Sequence, residues 1–399
     1  MLKGNNLKNT AYGMIPIDWE IAEIADCVKI ETGTKNTEDK ISDGKYPFYV
    51  RSQTVEKINS YSYDTEAVIT AGDGVGTGKI FHYINGKFNA HQRVYVMTNF
   101  DKVLGRYFYY YFSNNFYNEV TKYTAKSSVD SVRRDMIAKM LIPIPSEKEQ
   151  KAIAEALSDV DNLIISLEKL IEKNKAIKQG TMQDLLTGKK RIKGYERNWI
   201  NINLSEHSKI KARIGWQGLT TEEYLDQGYA YLITGTDFLN GRIDWDNCHF
   251  VNEERFVQDK NIQIVNGDIL VTKDGTIGKV GYVMNLNSYA TLNSGVFVIR
   301  AKSIETYNTG FVYYILKSSI FTDFLNKLSA GSTINHLYQK DFVNFTFDIP
   351  QDIKEQKAIA EILFDIDSEI TALESKLLKY RQIKQGMMQE LLTGRIRLM

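Results

Sequence analysis

The chain has 399 residues, of which 43% are hydrophobic and 25% charged, with a net charge of +1. That length exceeds one ordinary core and points to two domains or more. There is no run of eighteen apolar residues, no apolar stretch in the opening MLKGNNLKNTAYG, and only two cysteines, Cys27 and Cys248. A membrane span, a secretory leader and a disulfide framework are therefore not expected, and the cysteine usage fits a reducing cytoplasm.

In chain order, a first globular segment (1–146) opens on GMIPIDW, ending at Trp19, and reads as short strands with turn signals. Within it lies TAGDGVGTGKI, residues 70–80, directly after an apolar strand. A phosphate-binding P-loop needs G-x-x-x-x-G-K-[ST], and here Asp73 stands at the first glycine and Ile80 at the hydroxyl. The dinucleotide pattern G-x-G-x-x-G fails as well, at Thr77 in one register and at Lys79 in the other. The segment then predicts an aromatic helix in GRYFYYYFSNNF (105–116) and closes on TAKSSVDSVRRDMIAKMLIPIP (124–145).

Next comes KEQKAIAEALSDVDNLIISLEKLIEKNKAIKQGTMQDLLTGKKRI (148–192), which reads as one long helix. Ser146-x-x-Glu149 has the form of a capping box, and Gly188 suits the left-handed residue that ends a helix. Its apolar positions Ile153, Leu157, Val160, Ile164, Leu167 and Ile171 alternate steps of four and three, the seam of a coiled coil. About forty residues at ~1.5 Å each make a rod of roughly 60 Å.

The second globular segment (194–351) repeats these markers in the same order. It opens on GYERNW, ending at Trp199, and carries RIGWQGLTTEEY and DILVTKDGTIGKVGYV (268–283). The latter aligns with the stretch around residues 66–83. It keeps an Asp-Gly turn (Asp274-Gly275 against Asp73-Gly74) and a lysine (Lys279 against Lys79), but drops two glycines. A nucleotide loop would not survive that loss, whereas a hairpin turn would. Each lysine is either solvated or a phosphate contact. TGFVYYILKSSIF (309–321) predicts the matching aromatic helix, and SAGSTINHLYQKDFVNFTFDIP (329–350) the matching approach to a rod. The second rod, 354–398, aligns with the first at a constant offset of 206, and 26 of the 45 positions are identical. Its seam is Ile359, Leu363, Ile366, Ile370, Leu373 and Leu377, its cap Asp352-x-x-Glu355, its terminal glycine Gly394. The chain is a tandem duplication. The expected fold is α+β: two globular domains (1–146 and 194–351) and two long helical segments (147–193 and 352–399) pairing as an antiparallel coiled coil about a pseudo-twofold axis.

Duplicated rods with KEQKAIAE and IKQG-x-MQ-x-LLTG, tryptophan-marked domain starts and Ile-Pro segments feeding each rod resemble the specificity subunit of type I restriction–modification systems. RIGWQGLTTEEY followed by YLITGTDFLNGRIDW (231–245) is similar to a recurring type of that family's recognition domain. The resemblance covers essentially the whole chain. It implies a non-catalytic subunit in which each globular domain is a target recognition domain for one half of an asymmetric, bipartite duplex DNA site. The rods are then the spacer and the dock for two adenine methyltransferase subunits, joined by two ATP-driven translocating nuclease subunits. No cofactor is implied for this chain; S-adenosylmethionine, ATP and magnesium belong to the partners. In agreement, the chain has no Pro-Pro for a methyltransferase motif, no P-loop and no Pro-Asp dipeptide of the commonest nuclease pattern.

Base readout needs Arg, Lys, Asn, Gln or small hydroxyls on loops. The candidates in the first domain are Arg51, Gln53, Lys79, His91, Gln92 and Arg93, with Lys126, Ser127 and Ser128 before the rod. In the second they are Arg213, Trp216, Gln217, Lys279, Asn293 and Ser294, with Ser332, Thr333, Asn335 and His336 before the rod. Charge is less tidy: 194–350 has 14 basic and 17 acidic residues, net −3, where a stand-alone DNA binder usually shows a basic footprint. A nucleotide-hydrolysing enzyme and a coiled-coil scaffold for proteins are the competing classes. A fused methyltransferase–nuclease partner is a variant of the first reading.

Overall fold

The computed structural model describes residues 7–10, 13–74, 76–123, 131–329 and 336–398. They fall into two compact units, one of 1–169 with 374–399 and one of 170–373, so that each unit holds one globular segment and a stretch of both long helices.

In the first unit the strands of the main sheet are β1 (Lys29–Thr32), β2 (Tyr46–Tyr49), β3 (Glu56–Ile58), β4 (Tyr63–Ala71), β5 (Phe81–Ala90) and β6 (Val94–Thr98). They form one mixed sheet in the order β1-β6-β4-β5-β2-β3. The strands are rich in Val, Ile, Tyr and Phe, as half-buried pleated surfaces favour. Lys35, beyond β1, bridges to His91, beyond β5, so the sheet curls until those two strand ends meet. Helix α1 (Gly105–Thr121) covers it with a fully buried aromatic stripe: Tyr107, Phe108, Tyr111, Phe112 and Phe116. Two tyrosine hydroxyls do a second job. Tyr107 donates to Pro143 O (2.9 Å) and Tyr111 to Leu141 O (2.6 Å), fixing the strand that leads into the first rod, α2 (Glu147–Leu186).

The second unit repeats this plan with different strands: β7 (Ser208–Ala212), β8 (Phe238–Leu239), β9 (Arg242–Ile243), β10 (Ile269–Thr272), β11 (Val280–Tyr282) and β12 (Val296–Ala301). Their order is β7-β12-β10-β11-β9-β8. An added three-stranded sheet places Ala230–Ile233 between His249–Val251 and Tyr289–Leu292. The aromatic helix expected over 309–321 is in fact two, α3 (Thr309–Lys317) and α4 (Ser319–Ser329). Ser318 between them is extended, and its hydroxyl donates to Ile315 O, competing with the helical ladder. In both units the start of the globular segment pairs antiparallel with the strand before the rod: Glu20–Glu23 with Leu141–Ile144, and Trp199–Asn203 with Thr346–Pro350.

The second rod is α5 (Ile353–Leu391). Both rods end where their glycines turn left-handed, Gly188 at φ +70 and Gly394 at φ +71. Lys190 N donates to Asp184 O and Ile396 N to Glu390 O, closing the same terminal motif. The rods pair antiparallel within each unit. In the first, Arg397 meets Glu149, Lys384 meets Asp161 and Arg381 meets Glu168. In the second, Arg191 meets Glu355, Lys178 meets Asp367, and Asn174 meets Glu369. Ile153 and Leu157, like Ile359 and Leu363, are fully buried in the globular cores as well. Leu167, Ile171 and Ile370 are buried along the rods, while Val160, Ile164, Ile366, Leu373 and Leu377 are half-buried.

The expected capping boxes are incompletely made. Glu149 N donates to Ser146 Oγ (3.3 Å), whereas the Asp352 carboxylate accepts Lys354 N (2.9 Å) and Glu355 N donates to the Asp352 backbone O; neither glutamate carboxylate turns back to its cap. Glu149 takes a bidentate pair from Arg397 (2.6 and 2.8 Å) and the Trp19 indole N–H (3.1 Å). Glu355 takes the same pair from Arg191 (2.6 and 2.7 Å). A guanidinium fork outcompetes a single backbone N–H for a buried carboxylate.

Candidate nucleic-acid interface

The stretch that resembles a phosphate loop joins β4 to β5, and the stretch at 273–279 joins β10 to β11; both pairs of strands are antiparallel. The glycines explain why the two loops differ in sequence. Gly74 and Gly78 have φ of +92 and +72, and Gly275 and Gly278 have +67 and +81. These are the glycines common to both copies. Gly72 and Gly76, lost in the second copy, do not have positive φ. The turn thus retains glycine where an L side chain would be strained and drops it elsewhere.

One backbone frame surrounds each loop. In the first unit Gly72 N donates to Arg93 O (2.9 Å) and Val132 N to Gly72 O (2.7 Å). In the second, Lys273 N donates to Gly295 O (2.9 Å) and Leu337 N to Lys273 O (3.0 Å). The hairpin loop, the turn just before β6 or β12, and the segment approaching the rod are therefore tied together at one place in each unit. His91 N adds a bond to Tyr49 O (2.9 Å), and His82 Nε2 lies 3.1 Å from Ser52 O, which brings in the loop after β2.

In the first unit this frame gathers Arg51, His91, Gln92 and Arg93 around Asp73. Arg51 Nη1 donates to Asp73 Oδ1 at 2.7 Å and Arg93 Nη1 to Oδ2 at 3.0 Å. Partial burial raises the Asp73 carboxyl pKa, but its bonds to Arg51 and Arg93 outweigh that and lower it overall. Arg51, Gln92 and Arg93 are exposed, and Gln92 Nε2 donates to Asn36 Oδ1 (2.7 Å). His91 is buried; its Nδ1 accepts Arg93 N (3.0 Å), and burial, then the charges of Arg51 and Arg93, push its pKa down. It supports the turn as a neutral ring. Gln53 is exposed on the β2 loop, and Lys79 is exposed with its Nζ 4.8 Å from the Tyr117 ring centroid.

In the second unit Asp274 sits where Asp73 does. Its carboxylate pairs with His336 Nδ1 and with Lys273 Nζ (3.4 Å). Lys279 is exposed. Asn293 and Ser294 lie on the equivalent turn, half-buried; Asn293 Nδ2 donates to Tyr224 Oη (2.7 Å) and its Oδ1 accepts Ser294 N. Arg213 is placed differently from the expectation of an exposed reader. It is 3% exposed, with Nε on Leu292 O (2.8 Å) and Nη2 on Thr291 Oγ1 (3.3 Å), and so ties its segment to the strand Tyr289–Leu292. Gln217 is buried too, its Oε1 without a partner among the described residues. Trp216 lies in the short 3-10 turn Gly215–Gln217, and its side chain is outside the described set. Lys126, Ser127, Ser128, Ser332, Thr333 and Asn335 also lie outside the described residues. Sequence reasoning missed Asp73, Asp274 and Lys273 as parts of the cluster. The signal was present in the Asp-Gly that recurs after a strand in both copies.

No group of three or more His, Cys, Asp or Glu among the described residues is placed to hold a metal ion. Burial raises the pKa of both free thiols, the opposite of activation. No helix among the described residues is long and apolar enough to cross a membrane.

Residues 16–179 and 197–380 each match the type I restriction modification DNA specificity domain, one match per copy of the duplication. The chain belongs to this family. It is a DNA specificity subunit of a type I restriction–modification system, the non-catalytic component of such a complex. The MjaVIII specificity subunit of Methanocaldococcus jannaschii is 26% identical over 425 residues, covering 99% of this chain and 97% of that one. The EcoDI specificity subunit of Escherichia coli is 30% identical over 180 residues, 44% of this chain and 39% of that one. Among solved structures, the S subunit from M. genitalium shares the fold at a TM-score of 0.69 and 17% identity, covering 97% of this chain and 98% of that one. The specificity subunit thus accounts for the duplication, the paired rods and the two loop frames together.

Proposed function

We propose that residues 1–146 and 194–351 are two target recognition domains, each reading one half of an asymmetric, bipartite duplex DNA site. The observation that carries this is the loop frame built twice, once per family match, with nitrogen-bearing side chains gathered on its aspartate each time: Arg51 and Arg93 in one copy, Lys273 and His336 in the other. Arginine on a loop is the commonest reader of guanine, through O6 and N7. The helices of 147–193 and 352–399 then set the spacing between half-sites. They also dock two adenine methyltransferase subunits, for which exposed apolar side chains such as Ile165, Ile177, Leu378 and Ile383 offer contact area. Two translocating nuclease subunits complete the assembly. S-adenosylmethionine, ATP and magnesium enter through those partners, in the cytoplasm where the DNA is.

The net charge of −3 on 194–350 has a consequence. Phosphate neutralisation supplies most sequence-independent affinity, so the second domain depends on the methyltransferases closing around the duplex. The test is a duplex selection from a random library, using the full chain reconstituted with its methyltransferase. Arg93→Ala is expected to relax one position of one half-site, at a cost of about 1–3 kcal/mol, and to leave the other half unchanged. Selection of the same bipartite sequence by the variant, at the same affinity, would contradict the assignment of this face.

A further inference from the structure

Resting on that reading of the loop face, we propose that Asp73 is a specificity-determining positioning residue: it holds Arg51 and Arg93 side by side as a base-reading pair and keeps them from engaging phosphates indiscriminately. The geometry is that of a counter-ion shared between two readers. One carboxylate oxygen goes to each guanidinium, at 2.7 Å from Arg51 and 3.0 Å from Arg93. The two arginines come from different loops and carry like charges, so without a shared anion they repel and splay apart. Each engages Asp73 through Nη1. Among the described residues this leaves the Nε and Nη2 edge of each guanidinium available, and that is the edge that makes a bidentate contact with a guanine or a phosphate.

Asp73 is itself held in place. It bridges to Ser131, it precedes a glycine at φ +92, and the neighbouring Gly72 is tied to the Arg93 carbonyl. An incidental surface pair would have no reason to recur. Asp274, at the same place in the second frame, takes Lys273 and His336. The aspartate and the frame are constant between copies, while its partners change from arginine and arginine to lysine and histidine. That is the arrangement expected if the partners set the sequence read and the aspartate sets their geometry.

Effects of opposite sign are expected on the two kinds of DNA. Asp73→Asn raises the local charge by one while removing the restraint. In the complex of full chain and methyltransferase, binding to a random-sequence duplex should tighten and its log–log salt slope steepen by about 0.9, the value of one further phosphate contact. Discrimination between the selected duplex and the random one should fall about 10-fold, the scale of one bidentate base contact. Only the half-site read by the first domain should lose information. Asp73→Glu, which restores the charge, should restore the salt slope. Asp274→Asn provides the same test on the other half-site, and stands in if the Asp73 variant melts early. Equal weakening of both duplexes, or no change in either, would overturn the proposal. Arg51→Ala and Arg93→Ala separate the two levels of the claim: if these leave selection unchanged, the loop face does not read DNA and the proposal falls with it. If they relax one half-site while Asp73→Asn leaves discrimination intact, the reading stands and the role of Asp73 fails.

Discussion

Two histidines of the first unit, His82 and His91, are packed against backbone that carries the candidate readers. Burial lowers the pKa of both; the Ser52 carbonyl opposes this slightly at His82, and the arginine charges reinforce it at His91. Both folded-state values therefore lie below the ordinary one of about 6.5, and the unfolded chain binds more protons as pH falls through that value. Stability is expected to be complete above about pH 6.5 and to decline toward pH 5, before the depressed carboxylates titrate. Urea midpoints at pH 7.5 and 5.5 test this: the midpoint should drop at the lower pH, and less so in a His82→Gln, His91→Gln variant. A midpoint that holds or rises at the lower pH would count against the buried neutral rings. None of this was legible in FNAHQRVY, where His91 looks like any loop residue. Its N–H is tied to Tyr49 O, a neighbour that the sequence does not show. Arg213 is a similar case, since its carbonyl partner at Leu292 is far along the chain.

At the level of elements, the rods were legible almost to their ends, because heptad spacing, terminal glycines and a gap-free repeat are local signals. The use of Glu149 and Glu355 was not. Each is nearly fully buried and takes an arginine from the opposite end of the other rod: Arg397 in the first unit, Arg191 in the second. Removing one partner of a buried pair strands the other, at a typical cost of about 3–5 kcal/mol. Glu149→Ala should fall near the low end of that range, since Arg397 keeps its bonds to Asp18 at 2.9 and 2.7 Å. Denaturant titration of the full chain measures this, and a loss under about 1 kcal/mol would be the value of an exposed pair instead. The arrangement also explains why KEQ at a rod's start and LLTG-x-x-R at its end persist through the duplication. They are the two halves of one joint, each copy completing the other.

For the whole molecule, the duplication has kept its frame and varied its faces. The rods, the tryptophan starts and the loop hydrogen bonds match between copies, as do Gln150 and Gln356, whose side-chain oxygens accept Leu104 N and Asn308 N just before each aromatic helix. The strands around them differ, and the second copy adds a three-stranded sheet. That pattern suits a molecule that must present two different surfaces from one scaffold. Its family is that of DNA specificity subunits, and on the reading proposed above the side chains at the loops are where two DNA sequences would be distinguished. The most direct measurement is a map of methylated adenines across host DNA, with the chain present, deleted, and carrying Arg93→Ala. The expected result is a split motif that disappears on deletion and changes in one half alone in the variant. Methylation that is unchanged by deletion, or altered in both halves by the single substitution, would contradict it.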